Sequence, residues 1–480
     1  MLKGNSDRDP LDDVLRPPID ETEEERSIRL QTEEQAKRVS EAIDEAIRQE
    51  RQAAKKKDVV RVLLLGQSES GKSTTLKQFQ RLYTPTAFRE ERHLWRSVIQ
   101  LNIVRSIRII IDTISDVHRN AVLSEEESDG DEEFQLSDQL VAIKERLKPL
   151  RHIENILVAK LVPPNEAEAT HLGNRPDIAS SSKNRKDQEI FVRPGMGWHG
   201  ALLRGARSSR PLSAGSTGLE TPDDTQCVLD SCRTDTIALW QNPTVRAILQ
   251  RRKVRLEELP GFYLNDLERM TSLKYVPTDD DVLRARLKTV GVCEYKFHLE
   301  ASAGSESGTE WRIIDVGGSR SQVRYYCSFV ATWAQFFDTV NAILFLAPIS
   351  GFDQALAEDR SVNRLEDSVL LWKSVCSNKL LANVELVLFL NKCDLLGAKL
   401  RSGIRLSKYV RSFGDRSNDL DTVTKYFRGK FSAILREHSP LPRKFYGFCT
   451  SVTDTNTTAG ILAIVRDIVI REHLRKTRLL

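Results

Sequence analysis

A glycine-rich segment directly after a run of apolar residues constrains this chain more than any other feature. Residues 59–65 have the composition of a buried strand, and residues 66–74, GQSESGKST, follow at once and fit the pattern G-x-x-x-x-G-K-[ST]. In that pattern successive backbone N–H groups surround a β-phosphate, the lysine reaches the β- and γ-phosphates, and the next helix turns its positive end towards the anion. The pattern therefore predicts a strand, a phosphate loop (residues 66–73) and a helix, with the Ser73 hydroxyl as a ligand of Mg²⁺.

Helical and strand-like patterns divide the rest of the chain into an α/β domain with a helical insertion. Residues 95–111 are strongly apolar without glycine or proline, which predicts the central helix of a bundle, and helical patterning resumes over residues 227–270. Strand-like and helical segments then alternate up to residue 475, which predicts a mostly parallel sheet covered by helices. The predicted strands cover residues 59–65, 292–299, 311–314, 342–346, 384–390 and 445–449.

The predicted domain boundaries follow from these patterns. They are an N-terminal helix or arm at residues 1–57, the first part of the α/β domain at 58–80, the helical domain at 81–275 and the rest of the α/β domain at 276–480. Within the helical domain, the acidic run 124–133 and the polar run 163–224 contain too few apolar residues for a core, and we predict that they are disordered inserts.

The charge balance and the cysteine pattern exclude several classes of protein. The 72 basic and 68 acidic residues nearly cancel, so no excess of positive charge indicates nucleic acid as a partner. The seven cysteines stand singly, without the spacing of a zinc or redox motif, which is typical of a reducing compartment. The longest apolar runs have the length of a strand, far short of a membrane span. We therefore expect a soluble intracellular protein with no transmembrane segment.

A second motif, Asn391-Lys392-Cys393-Asp394, follows the predicted strand 384–390 and indicates which base is bound. A carboxylate such as that of Asp394 accepts two hydrogen bonds from the N1 and N2 donors of guanine, whereas adenine offers no such pair. We expect Asn391 to brace this loop and Lys392 to cover the base. A phosphate loop alone would also suit a metabolic P-loop kinase, and this motif makes that alternative improbable.

The order of these motifs resembles the α subunits of heterotrimeric G proteins over nearly the whole chain. Five further segments carry the resemblance: YVPT at 275–278 with DVLRARLKTVG at 281–291 (switch I), DVGGSRS at 315–321 (switch II), LAED at 356–359 with NR at 363–364, TSVTDT at 450–455 (the loop over guanine), and YLNDL at 263–267 (the end of the helical domain). The resemblance implies a Ras-like P-loop GTPase domain, with a mostly parallel sheet, interrupted by an inserted all-α helical domain.

The resemblance also assigns roles to individual residues. It implies that Thr289 joins Ser73 as a Mg²⁺ ligand, that Asp315 contacts the ion through water, and that Arg286 is the arginine finger carried in cis, which neutralises charge on the γ-phosphoryl group. Arg286 and Ser319 are the catalytic positions. The implied contacts to GTP or GDP are Glu69, Ser70, Gly71, Lys72, Ser73, Thr74, Leu283, Arg284, Arg286, Thr289, Asp315, Gly318, Asn391, Lys392, Asp394 and Val452.

Two departures from the family pattern concern hydrolysis. Ser68 stands where the phosphate loop normally has glycine, and Ser319 stands where switch II normally has the glutamine that orients the attacking water. A serine hydroxyl is too short to hold that water, so we expect slow hydrolysis. The retained residues Lys72, Ser73, Thr289, Asp315 and Arg286 favour slow over absent turnover. The alternative is a nucleotide-bound interaction protein with negligible GTPase activity.

The implied partners are a G protein βγ dimer, a G protein-coupled receptor and a downstream effector. The N-terminal helix has a narrow apolar stripe that suits a partner surface, although a solvated face is the alternative; its residues are Ala36, Val39, Ile43, Ala46 and Ile47. The tail after Arg475 suits a receptor groove, again with a solvated tail as the alternative. No glycine follows Met1 and no cysteine lies near either end, so we expect attachment to the inner face of the plasma membrane through partners or through the basic surface.

Overall fold

The structure is a computed structural model that describes residues 22–56, 59–123, 137–161, 191–192, 224–289, 292–298, 310–317, 340–356, 359–451 and 455–476. The chain divides into two compact units, Met1–Val59 and Val60–Leu480. The predicted insert 124–133 lies outside the described residues, as does all of 163–224 except residues 191–192 and 224.

The first unit contains one long helix, α1 (Glu23–Lys56). Ion pairs one turn apart support it, including Arg29–Glu33 at 2.8 Å and Arg38–Glu34 at 2.7 Å. Two members of the apolar stripe, Val39 and Ile43, are each 54% exposed. The stripe is therefore an accessible surface on this helix.

The second unit is built on a six-stranded sheet. Its strands are β1 (Val59–Gly66), β4 (Val292–His298), β5 (Glu310–Val316), β6 (Ala342–Pro348), β7 (Glu385–Asn391) and β8 (Tyr446–Thr450), in the order β4-β5-β1-β6-β7-β8. The pairs β1–β6, β6–β7 and β7–β8 are parallel, and the edge pair β4–β5 is antiparallel. A separate parallel pair joins β2 (Phe191–Val192) to β3 (Lys288–Thr289). The predicted mostly parallel sheet is confirmed.

Helices follow the strands or lie between β1 and β3. The first group is α2 (Lys72–Tyr83), α3 (Pro85–Glu91), α4 (Arg96–Leu123), α5 (Asp138–Arg146), α6 (Pro149–Leu161), α7 (Asp224–Ser231), α8 (Arg233–Gln241), α9 (Pro243–Arg251), α10 (Leu267–Met270) and α11 (Asp279–Arg284). Helices α12 (Arg364–Ser377), α13 (Cys393–Arg401), α14 (Leu420–His438) and α15 (Thr455–Lys476) alternate with the later strands. The apolar residues Ile99, Ile103 and Ile110 of α4 are buried, as its predicted central position requires.

Strand β1 contributes side chains to two hydrophobic cores because its successive side chains point to opposite faces of the sheet. Val62 and Leu64 pack into one core with α2, α4 and α15, whereas Leu63 and Leu65 pack into the other with α12, α13 and α14. Covered on both faces, the parallel strands bring their carboxyl ends to one edge, where ligands of open α/β sheets bind.

Candidate functional site

The phosphate loop is shaped by backbone conformations that favour glycine. Gly66 ends β1 with φ at 144°, and a Cβ there would lie 2.4 Å from the Leu346 carbonyl oxygen, so no side chain fits. Gly71 caps the start of α2 with φ at 103°. Glu69, at the turn between them, has φ at 59°. The loop therefore curls around a point just ahead of the N-terminus of α2, where the helix favours an anion.

Lys72 lies buried under this loop. Its Nζ donates to the carbonyl oxygens of Gly66 at 2.7 Å and of Gln67 at 2.6 Å. Burial lowers the pKa of Lys72 to about 8, although the charge of Asp315 opposes this. The buried Ser70 hydroxyl has no hydrogen-bond partner within the part of the chain that the structure describes. A buried cation beside an unsatisfied hydroxyl fits a bound phosphate group.

Two of the three residues expected around Mg²⁺ are in direct contact. The Ser73 hydroxyl donates to Oδ2 of the buried Asp315 at 2.9 Å. The backbone of Thr289 pairs with Val192 at the end of β3. The structure does not describe the side chain of Thr289, so its expected role as a Mg²⁺ ligand stays a prediction. Hydroxyl and carboxylate oxygens are the donors that Mg²⁺ prefers, and the Ser73–Asp315 pair fits such an ion.

Glu69 connects the predicted arginine finger to the phosphate loop. Its carboxylate oxygens contact Arg286 Nη2 at 3.0 Å and Arg364 Nη2 at 3.1 Å. Burial raises the pKa of Glu69, but the charges of Arg286, Arg364 and Lys392 outweigh it, and the pKa is lowered overall. Arg286 is anchored from the other side as well, because its backbone N–H donates to Asn102 Oδ1 at 2.7 Å.

The base-recognition motif is tied to the phosphate loop by its asparagine. Asn391 ends β7, and its Nδ2 donates to the Ser70 carbonyl oxygen at 2.7 Å. The Thr450 hydroxyl holds Asn391 Oδ1 at 3.2 Å, which orients the amide. Lys392 takes the left-handed conformation, with φ at 65°, and burial lowers its pKa to about 8. The expected bracing role of Asn391 has a physical basis in these contacts.

One cavity of about 350 Å³ joins the two motifs. The predicted residues that line it are Glu69, Ser70, Gly71, Lys72, Ser73, Thr74, Leu283, Arg284, Arg286, Asn391, Lys392 and Asp394. Thr289 and Asp315 are not among its lining residues. Gly318, Ser319 and Val452 lie outside the described residues. The cavity therefore combines a cationic phosphate end with a carboxylate end at Asp394.

The sequence patterns missed one wall of this cavity, residues 257–262, which we call the helical wall. It contains Glu257, Glu258, Leu259, Pro260, Gly261 and Phe262. Lys399 Nζ contacts Glu258 Oε2 at 2.9 Å and Asp353 Oδ1 at 2.6 Å, while Arg255 Nη1 contacts Asp353 Oδ2 at 2.6 Å. These partners are far apart in sequence. The resemblance of the neighbouring segment 263–267 was the only available signal.

Comparison with known proteins decides the family. Residues 37–469 match the family model described as G-protein alpha subunit. The chain belongs to this family. It is 31% identical to the guanine nucleotide-binding protein alpha-4 subunit of Mycosarcoma maydis, over 98% of this chain and 95% of the relative. It is 29% identical to the alpha-2 subunit of Neurospora crassa and 26% identical to the alpha-1 subunit of Saccharomyces cerevisiae, in each case over more than nine-tenths of both chains.

Membership of the G-protein α family confirms the predicted class of protein, a guanine-nucleotide-binding signal transducer, and the predicted fold, a Ras-like domain with a helical insertion. Among the described residues, no helix combines the length and apolar character needed to cross a membrane.

Proposed function

We propose that this Gα chain is a switch that couples a membrane receptor to effectors by exchanging GDP for GTP, and that it hydrolyses GTP slowly. The observation that carries the proposal is the single cavity that runs from Lys72 in the phosphate loop to Asp394 in the base motif, with Arg286 beside it. A nucleotide with a diphosphate or triphosphate and a guanine base matches this distribution of charge and hydrogen-bond acceptors.

In this proposal guanine is recognised by Asp394 and the phosphates by residues 69–74. Replacing Asp394 by asparagine removes the paired acceptors, so we expect Asp394→Asn to weaken GTP binding by about 2–4 kcal/mol and to improve xanthine nucleotide binding. Competition of GTP, ATP and xanthosine triphosphate for the native protein and the variant measures this. Equal affinity of the native protein for ATP and GTP would show that Asp394 does not read the base.

Ser73 and Thr289 are the residues that would hold Mg²⁺, with Asp315 in contact through water, and the ion would neutralise phosphate charge when bound. Arg286 lines the cavity and is paired with Glu69. As charge develops on the transferred phosphoryl group, the guanidinium can exchange the Glu69 carboxylate for phosphoryl oxygens. Leu283 and Arg284 enclose the nucleotide on the same side, and Gly318 and Val452 are proposed to close it from switch II and from the loop over guanine.

Slow hydrolysis follows from Ser68 and Ser319. Poor positioning of the attacking water costs about 1.4–4 kcal/mol, or roughly 10- to 1,000-fold in rate. Single-turnover release of γ-phosphate should therefore accelerate in Ser319→Gln and accelerate further when Ser68→Gly is added, with effects that are not additive because both sites flank one phosphate. If neither revertant is faster than the native protein, another group positions the water. If the native protein shows no turnover at all, the alternative of a nucleotide-bound interaction protein is favoured.

The proposed partners are a βγ dimer, a receptor and an effector, reached at the inner face of the plasma membrane. The exposed stripe on α1 supports a βγ surface, together with switch II in the GDP state. Deleting the residues before Asp58 should abolish capture of βγ and leave GDP affinity unchanged. Removing residues 477–480 should abolish receptor-stimulated exchange and keep basal exchange. Undiminished capture or stimulation would assign these segments another role.

A further inference from the structure

Two cysteines that are distant in sequence meet at the base end of the cavity. Strands β7 and β8 pair in parallel with Leu390 opposite Cys449. The Sγ of Cys393, in the first turn of α13, lies 3.2 Å from the Leu390 carbonyl oxygen. Cys393 is therefore folded back over the residue that faces Cys449, which places both cysteines at the Leu390 backbone.

The two thiols differ in accessibility and in acidity. Cys449 is exposed and Cys393 is half-buried. The neighbouring Cys393 lowers the pKa of Cys449 to about 7. Burial and the charge of Asp421 oppose this shift, whereas Thr424 and the charge of Arg428 support it. The neighbouring Cys449 and burial raise the pKa of Cys393. Cys449 is thus both the more acidic and the more accessible of the two thiols.

The other described cysteines lack this combination. Burial raises the pKa of Cys293 and of Cys376 to about 12, which suppresses their thiolates. Cys232 is also buried, whereas Cys227 is exposed. In the described part of the chain no group of three or more His, Cys, Asp or Glu side chains could hold a metal ion. The pair is therefore suited to covalent thiol chemistry.

We propose that Cys393 and Cys449 form an oxidation site that closes to a disulfide on reaction with hydrogen peroxide. The Cys449 thiolate attacks one peroxide oxygen, the O–O bond breaks, and hydroxide leaves and takes up a proton as water. Cys449 is then a sulfenic acid. The Cys393 sulfur attacks the Cys449 sulfur, the S–O bond breaks, and the leaving hydroxide combines with the proton lost by Cys393. Two thiols and one peroxide give one disulfide and two waters.

The position of this site connects it to nucleotide exchange, a consequence that rests on the proposed function. Cys393 lies between Lys392 and Asp394, and Cys449 is two residues before Ser451; all three neighbours line the cavity. A disulfide would tie the start of α13 to the end of β8. Because a ligand leaves such a cavity through opening of its loops, the cross-link should slow release of guanine nucleotide.

The experiment uses the full chain loaded with a fluorescent GDP analogue and treated with hydrogen peroxide. Peptide mapping without reductant should show a cross-linked pair containing residues 393 and 449, lighter by two hydrogens and separated by reductant. The native protein and the control Cys227→Ser should both form it, whereas Cys393→Ser and Cys449→Ser should not. Release of the analogue should slow by about fivefold or more on oxidation of the native protein and of the control, and recover on reduction.

Three results would overturn the inference. Oxidation of Cys449 to sulfinic acid without a cross-link would show that Cys393 does not resolve the sulfenic acid. A disulfide that leaves nucleotide release unchanged or accelerates it would refute the proposed slowing of exchange. Slowing that persists in Cys449→Ser would place the responsible thiol elsewhere. If the chain binds no guanine nucleotide, the proposed function fails, while the peptide map still decides whether the disulfide forms.

Discussion

The phosphate loop and the helical wall enclose one cavity, but they are held in place by different means. In the loop, Lys72 bonds to carbonyl oxygens five and six residues before it, and Gly66 provides a backbone that a side chain would obstruct. In the wall, Glu258 is held by Lys399, which also contacts Asp353. A wall held by side-chain ion pairs can open when those pairs break, whereas the part of the loop around Gly66 and Lys72 changes only if its backbone refolds. We therefore expect the loop to determine whether nucleotide binds and the wall to determine how fast it leaves.

The strongest way to break this contrast is to place a side chain in the loop. Gly66→Ala would bring Cβ within 2.4 Å of a backbone oxygen at a strained φ, and we expect a loss of about 3–6 kcal/mol in the free energy of unfolding, with no measurable GDP binding. The control Gly403→Ala also has a positive φ, 88°, but with no atom within 4 Å, and should lose only about 1–2 kcal/mol. Denaturant unfolding measures both. Equal losses would mean that strain in φ, and not the close approach to Leu346, explains the effect.

A second variant tests the wall. Lys399→Met leaves the buried carboxylate of Asp353 with one cationic partner fewer, and breaking such a pair costs about 3–5 kcal/mol. We expect GDP still to bind but to leave roughly tenfold faster, measured by release of a fluorescent analogue. The exposed Lys408 provides the control, because Lys408→Met removes a lysine outside the wall. Loss of all GDP binding in Lys399→Met would show that the wall, like the loop, determines whether nucleotide binds.

Low pH provides a further test of the contrast between the phosphate loop and the helical wall. Burial raises the pKa of Asp281, but hydrogen bonds from Arg269 and Thr278 outweigh it and lower the pKa overall; the pKa of Asp353 is likewise lowered by Lys399 and Arg255. The folded pKa of each lies below the unfolded value, so their stabilisation is present above about pH 4 and is lost as pH falls through the folded pKa.

The Lys399–Asp353 and Arg255–Asp353 pairs beside the wall should therefore weaken on acidification. We expect GDP release to accelerate as pH falls below about 4, and Asp281→Asn to cost about 2–4 kcal/mol at pH 7 and less at low pH. Thermal unfolding across this range measures the stability difference. A cost for Asp281→Asn that is the same at pH 7 and at pH 3.5 would show that this carboxylate is not the titrating group.

The smallest expected effect lies away from both regions. Asn242 caps α9, with its side chain accepting from the N–H groups of Thr244 and Val245. Asn242→Ala should destabilise the protein by about 1 kcal/mol and leave GDP release unchanged. A large change in release would mean that general loosening, and not the wall contacts, governs exchange.

The sequence by itself determined the features that neighbouring residues encode. The strand β1, the glycine-dependent loop at Gly66 and Gly71, and the following α2 were all predicted, because each depends on backbone conformations and apolar patterning over a few residues. The base motif at Asn391 was predicted for the same reason, and parallel strands then brought it to the same edge of the sheet as the phosphate loop.

Only the tertiary structure decided which distant side chains meet. The pairing of Glu69 with Arg286, the attachment of Glu258 to Lys399, and the placement of Cys393 beside the strand partner of Cys449 join segments that no local pattern relates. Single cysteines and scattered charges have the same appearance in the sequence whether they are solvated or paired. Their partners are set by chain topology and packing, since an ion pair or a thiol contact requires side chains to approach within a few ångströms, and sequence spacing carries that information only within one helix or strand.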